Sequence, residues 1–198
     1  MIRKALISVS DKTRIEVLLK ALSELGVEII SSGGTAQHIW KLGYRVTEVT
    51  EYTGYPEMPR GLVKTLHPKI HGGILGDAKD PGQREYMEKQ GISEIDLVVV
   101  NLYPFEKQVS EKRPSLKEAA EYIDIGGPAL VRAAAKAALL HGRVTILTKP
   151  SQYAVLVEQL KKRRGEVSDD FKRKLAQEAF ALTASYDQSI REYLKATL

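Results

Sequence analysis

Short runs rich in β-branched residues alternate with amphipathic stretches from the first residues onward, and this alternation constrains the fold more than any single motif does. The pattern predicts strands over 5–9, 27–30, 44–49, 97–100 and 143–147. Between the first two, Ile15, Leu18, Leu19, Leu22 and Leu25 recur at helical spacing until Gly26 stops the helix. A shorter helix is expected over 35–42, closed by Gly43. The run LVVVN, 97–101, is apolar at successive positions, as in a strand buried on both faces, and Pro104 ends it. Parallel strands need crossover connections, so strand–helix alternation predicts an α/β chain with a mostly parallel sheet flanked by helices.

Beyond Pro150 the pattern is helical only, which divides the chain into an α/β unit over 1–150 and a helical C-terminal appendage over 151–198 packed on it. Ser151 and Ser168 are candidate N-caps, the latter followed by Asp169 and Asp170, whose charges suit a helix start. Phe171, Leu175, Ala179, Leu182, Tyr186, Ile190 and Leu194 trace one apolar stripe. The basic run KKRR at 161–164 reads as a solvated helix end rather than a nucleic-acid patch.

Of the 198 residues 43% are hydrophobic, enough for a sizeable core in one or two compact domains. Cysteine is absent, which removes disulfides, thiolate metal sites and cysteine nucleophiles together. The net charge of +5 favours encounters with anions, phosphorylated metabolites among them. The N-terminal apolar run soon meets Asp11 and Lys12, unlike a signal peptide, and no stretch approaches the roughly 18 apolar residues of a membrane span. The expectation is a cytoplasmic protein without a membrane partner.

The residues that could carry chemistry follow strands or open helices. Ser32, Gly33, Gly34 and Thr35 lie where a helix start could hold a phosphate, and Ser10, Asp11, Lys12 and Thr13 form the matching junction after the first strand. Asp11 is also a candidate N-cap. Neither a P-loop nor a GxGxxG pattern is present, which points away from an NTPase and a dinucleotide enzyme and toward a mononucleotide or sugar phosphate. The segment 63–75, VKTLHPKIHGGIL, reads as a Gly- and Pro-bounded loop carrying Lys64, His67, Lys69 and His71. No glutamate or cysteine completes a metal set around the two histidines, so they read as structural. Asn101 and Tyr103 should emerge at the C-terminal end of the 97–100 strand, where open α/β sheets bind ligands; taken alone, Tyr103 reads better as a core plug. Pro128 suits the first position of a helix, with Asp124 just before it and Lys136 within it.

Taken in order, SVSDKT, SSGGTA, TGYPEM, VKTLHPKIHGGIL, VVNLYPF and IDIGGPALVRAAAK resemble the inosine monophosphate (IMP) cyclohydrolase domain of the bifunctional purine-biosynthesis family that also carries AICAR transformylase. The resemblance runs from the N-terminus to Tyr186 and Asp187. It implies a methylglyoxal-synthase-like fold and closure of 5-formamidoimidazole-4-carboxamide ribonucleotide (FAICAR) to IMP with loss of water. No metal or other cofactor is needed. It also implies Lys64, Tyr103, Asp124 and Lys136 as the catalytic group, with Asp124 and Lys136 handling protons at the carboxamide nitrogen. Lys64 would steady the formyl oxyanion, and Tyr103 would assist proton transfer to the leaving water. Nucleotide contacts carried over are Ser10, Asp11, Lys12, Ser32, Gly33, Gly34, Thr35, Val63, Lys64, Thr65, Val100, Asn101, Asp124 and Ile125. The chain departs from the family at Leu62, where an arginine is usual and the nearest one is Arg60. It departs again at Ala137 and Ala138, where Asn-His is usual.

The resemblance leaves room for a homodimer and for fusion to, or association with, an AICAR transformylase. Two rival readings are a phosphate lyase of the methylglyoxal-synthase type and a non-catalytic module that binds a purine nucleotide; NLYP and IDIGGP speak against the first. Nucleic acid is not an expected partner, because aromatic and basic residues do not interleave.

Overall fold

The computed structural model describes residues 1–103, 105–112 and 114–197, with Arg60 described by its backbone alone. Five strands form one all-parallel sheet: β1 (Lys4–Val9), β2 (Glu28–Ser31), β3 (Thr47–Glu48), β4 (Leu97–Asn101) and β5 (Thr145–Leu147), in the order β3-β2-β1-β4-β5. Progress along the sheet therefore runs one way from β1 to β3 and then reverses, with β4 placed on the other side of β1. The reversal makes a switch point between β1 and β4, where the connections leave in opposite directions and open a crevice above the strand ends.

The strands hold this order because both faces are covered. Leu97, Val98, Val99 and Val100 alternate in direction along β4, yet none is more than 1% exposed. Fully burying such a side chain contributes about 1.5–3 kcal/mol. Helix α1 (Ile15–Glu24) packs with α9 (Tyr153–Lys162), while α8 (Gly126–Leu140) packs on β4 and β5 with α4 (Pro68–Leu75) and α10 (Asp169–Thr197). Leu175, Ala176 and Ala179 of α10 and Leu156 and Leu160 of α9 join the same core as the strands.

Several boundaries differ from expectation for local reasons. Helix α2 (Gly33–Lys41) begins at the glycine pair rather than at Thr35. Edge strand β3 shrinks to two residues because Val49 opens α3 (Val49–Thr53). The 63–75 segment is a loop only in its first part. His67 caps α4, its Nδ1 accepting from the Lys69 N–H at 3.1 Å, and Pro68 occupies the first turn, where no N–H is required. Between α4 and β4 lies α5 (Pro81–Lys89); after β4 come α6 (Phe105–Lys112) and α7 (Leu116–Glu121). Helix α8 starts at Gly126, so Pro128 is its third residue, still among the positions without an intrahelical N–H partner. Leu25 is a C-cap and 42% exposed, outside the buried stripe of α1. Ser151 lies inside a 3-10 turn, Pro150–Gln152, and the buried Gln152 side chain instead accepts the Thr148 N–H at 2.7 Å. Ser168 does accept the Phe171 N–H, at 3.4 Å. Pro104, expected to end β4, is outside the described residues.

Arg143 was expected in the fifth strand, but that strand starts two residues later. Its guanidinium donates to the carbonyls of Gly73, Ile74, Gly76 and Ile95 and pairs with Glu94 at 3.2 Å. A cation at a helix C-terminus is favoured by the dipole, so Arg143 pins the end of α4 and, through it, the 63–67 turn that precedes it. No helix among the described residues is long and apolar enough to cross a membrane.

Candidate active site

A crevice of about 800 Å³ opens at the switch point. Its floor is tied together by Asn101, the last residue of β4. The Asn101 Oδ1 accepts the Ser10 N–H at 2.7 Å, the Ser10 hydroxyl at 2.8 Å and the Asp11 N–H at 2.9 Å, while its amide donates to the Asp11 carbonyl. One side chain thereby fixes the whole turn after β1. Thr35 does the same for α2: its buried hydroxyl donates to the Val9 carbonyl at 3.0 Å and accepts the Val9 N–H at 3.2 Å.

Asp124 stands at the entry to α8. Its Oδ1 accepts the Gly127 N–H at 2.9 Å, and its own N–H donates to the Tyr186 hydroxyl of α10 at 2.7 Å. Gly127 has no room for a side chain, because a Cβ there would run into the Asp124 carboxylate. Burial raises the Asp124 pKa above the ordinary carboxylate value; the N–H groups of Gly127 and Gly126 oppose that rise without cancelling it. A carboxyl of this kind can take up a proton more readily than an exposed one.

Lys64 follows Val63, which holds a left-handed backbone with φ 55°, a conformation that β-branched residues rarely adopt. The Lys64 ammonium pairs with Glu57 at 2.5 Å and lies against Gly33, where a Cβ would stand 2.9 Å from it. The lysine is thus delivered to the first turn of α2. Thr65 reaches the other wall, its hydroxyl 3.1 Å from where a Cβ on Gly126 would be.

Most of the residues expected at the site meet here. Ser10, Lys12, Ser32, Gly33, Gly34, Thr35, Val63, Lys64, Thr65, Val100, Asn101, Tyr103, Asp124 and Ile125 all line the crevice. Tyr103 is 59% exposed, so it is a wall of the crevice and not a core plug. Two residues stand apart. The Asp11 side chain turns outward to accept the Thr13 N–H at 2.9 Å, and the hydroxyl and N–H of Thr13 lower its pKa; only its backbone serves the site. Lys136 does not line the crevice. It is ten residues beyond Gly126, about 15 Å along α8. The buried side of that helix is taken by Val131, Ala134, Ala135 and Ala138, which turns Lys136 outward among Leu75, Arg132, Leu139, Leu140 and Phe180. The alanines at 137 and 138 are themselves packed in the core. Leu62 lines the crevice where the arginine was missing, and the side chain of Arg60 is outside the described residues.

Met58, the last residue of TGYPEM, also lines the crevice, as do Gln108 and Tyr122, which no motif marks. Glu57 and Tyr186 act on Lys64 and Asp124 from outside it. Among the described residues no three His, Cys, Asp or Glu side chains converge as a metal set.

Comparison with known proteins gives the family. The model of the MGS-like domain matches residues 14–129, and that of the AICARFT/IMPCHase bienzyme matches residues 134–198. The bifunctional purine biosynthesis protein PurH of Rippkaea orientalis is 50% identical over 194 residues, which are 98% of this chain and 37% of that protein. The chain therefore spans well under half the length of this curated relative. The crystal structure of ForH superposes with a TM-score of 0.86 at 30% identity, over 98% of each chain. The chain belongs to the MGS-like domain family and, in its C-terminal third, matches the AICARFT/IMPCHase bienzymes.

Proposed function

We propose that this chain closes FAICAR to IMP with loss of water. The observation that carries the reading is the convergence of Lys64, Tyr103 and Asp124, from three separate segments, on one crevice at the switch point of a parallel sheet. The likeness to PurH over nearly the whole chain supports it.

A carboxamide nitrogen is a poor nucleophile, and it must lose a proton as its bond to the formyl carbon forms. The formyl oxygen gains a proton in the same step. The formamide nitrogen then gives up its own proton while the oxygen leaves as water and the C=N bond forms. Asp124, with its raised pKa, is suited to accept and return these protons. Tyr103 assists at the departing oxygen. The nucleotide phosphate sits at the first turn of α2, whose leading N–H groups and dipole favour an anion, with Lys12 beside it. Lys64 was expected at the formyl oxygen, but its ammonium lies beside Gly33, which favours the phosphate end as its partner. Holding both reacting ends of one substrate together supplies much of the acceleration.

Lys136 enters this scheme only from a second copy of the chain. Leu139 and Leu140, 57% and 67% exposed, flank it on a face we read as the surface through which two copies pair. Association with an AICAR transformylase and a cytoplasmic location complete the reading. Purified chain incubated with FAICAR should form IMP, followed by absorbance; no turnover would overturn the assignment.

A further inference from the structure

The TGYPEM segment, residues 53–58, sends one side chain to the lysine of the crevice. Glu57 Oε1 lies 2.5 Å from Lys64 Nζ. The two approach from different sides. Lys64 lines both the crevice and a neighbouring cavity of about 380 Å³, whereas Glu57 lines the side cavity and not the crevice. The carboxylate therefore draws the ammonium toward the wall between them.

The backbone on both sides of the pair is shaped to admit it. A Cβ on Gly61 would strike the Lys64 side chain and stand 3.0 Å from Glu57 Oε1. Gly61 and Gly33 have φ of 75° and 54°, and Val63, two residues after Gly61, is left-handed as well. A second carboxylate is close: Glu48 accepts the Gly33 N–H, and its pKa is raised, by burial first, with Glu57 pushing it further up and Lys64 opposing. Lys64 pairs with Glu57 and lies within electrostatic reach of Glu48 at the start of α2. An incoming phosphate must there compete with Glu57 for the ammonium.

We propose that Glu57 is the internal counter-ion of Lys64 in the empty site, and that a phosphate monoester dianion binds by taking its place. This rests on the phosphate position proposed above. The exchange is feasible because both side chains are about one-third exposed, at 31% and 36%, and ion pairs of that kind are weak. Its effect is on specificity: a neutral nucleoside cannot replace the carboxylate, so Lys64 stays with Glu57 and adds nothing to nucleoside binding.

The test is calorimetric titration of IMP and inosine into the wild-type chain, Glu57→Gln, Glu57→Asp, Lys64→Ala and the Lys64→Ala/Glu57→Gln double variant, each checked for folding by circular dichroism. Removing the competing charge in Glu57→Gln should tighten IMP binding about three- to tenfold and leave inosine within about twofold. Glu57→Asp should retain the wild-type ratio, and the tightening should vanish in the double variant. Unchanged or weaker IMP binding by Glu57→Gln, with Lys64→Ala still losing IMP affinity, would overturn the counter-ion role alone. Equal affinities of the wild type for IMP and inosine, unaltered by Lys64→Ala, would overturn the phosphate position and the proposal with it.

Discussion

The hydroxyl of Tyr186, near the middle of the last helix, accepts the backbone N–H of Asp124 at 2.7 Å across 62 residues of sequence. The contact fixes the turn that aims the carboxylate and makes α10 part of the site's support. Tyr186→Phe leaves that N–H without its acceptor, which costs about 1–3 kcal/mol. The expected outcome is a melting temperature lower by about 2–10 °C. Turnover of FAICAR should fall about tenfold with little change in IMP affinity, read by thermal denaturation and steady-state kinetics.

Asp124→Asn should separate stability from activity. Burial raises the folded-state pKa of Asp124 above its ordinary value of 3.8, so the native chain binds this proton more tightly than the unfolded chain does. The stabilisation that the protonated group provides is present at low pH and is lost as pH rises through the folded pKa. Asparagine has no such loss. The variant should melt above the wild type at pH 7, with the difference closing toward pH 3, while kcat falls about 10²-fold or more. A variant less stable than the wild type at pH 7 would contradict the burial argument.

Asn101→Ala removes the acceptor shared by the Ser10 and Asp11 N–H groups. The turn after β1 should loosen, weakening IMP binding about tenfold and lowering the melting temperature by several degrees. Titration calorimetry on a variant shown to be folded checks it.

Lys12→Ala should weaken IMP more than inosine, since Lys12 lines the crevice and its proposed partner is the phosphate. An equal loss for both ligands would place Lys12 elsewhere in the site.

Lys136→Ala should leave IMP affinity within about twofold, because the residue is outside the crevice of its own chain and its proposed part is in proton transfer. If its chemistry comes from a second copy, Leu140→Asp should lower both kcat and the mass measured by light scattering. A chain that stays fully active as a monomer would confine the proton transfers to Tyr103 and Asp124, with Lys64 at the phosphate.

The parallel α/β fold was legible because β4 is apolar at four successive positions and the helices between strands keep their period. The motif residues at strand ends and at a helix start were legible for the same reason: Ser10, Asn101 and Asp124 lie where a switch point must gather them. Lys136 could have been placed by phase alone, since Val131, Ala134, Ala135 and Ala138 repeat at helical spacing and leave 136 on the opposite side. Glu57 and Tyr186 were not legible as partners of Lys64 and Asp124. Their roles depend on tertiary packing, and for Tyr186 on a contact between distant segments that no local pattern encodes.

The placement of β1 in the centre of the sheet has a consequence for how the chain matures. Its pairing with β2 closes a short βαβ unit, whereas its pairing with β4 joins Ser10 to Asn101 across 91 residues. Contacts between distant segments form late, because loop closure must come before the pairing can stabilise it. A nascent or partly unfolded chain can therefore hold the β1–β3 half of the sheet while having no crevice at all. Ligand competence would then report completion of the fold, and a nucleotide that binds only the closed sheet would act as a folding ligand, pulling slow molecules through their last step.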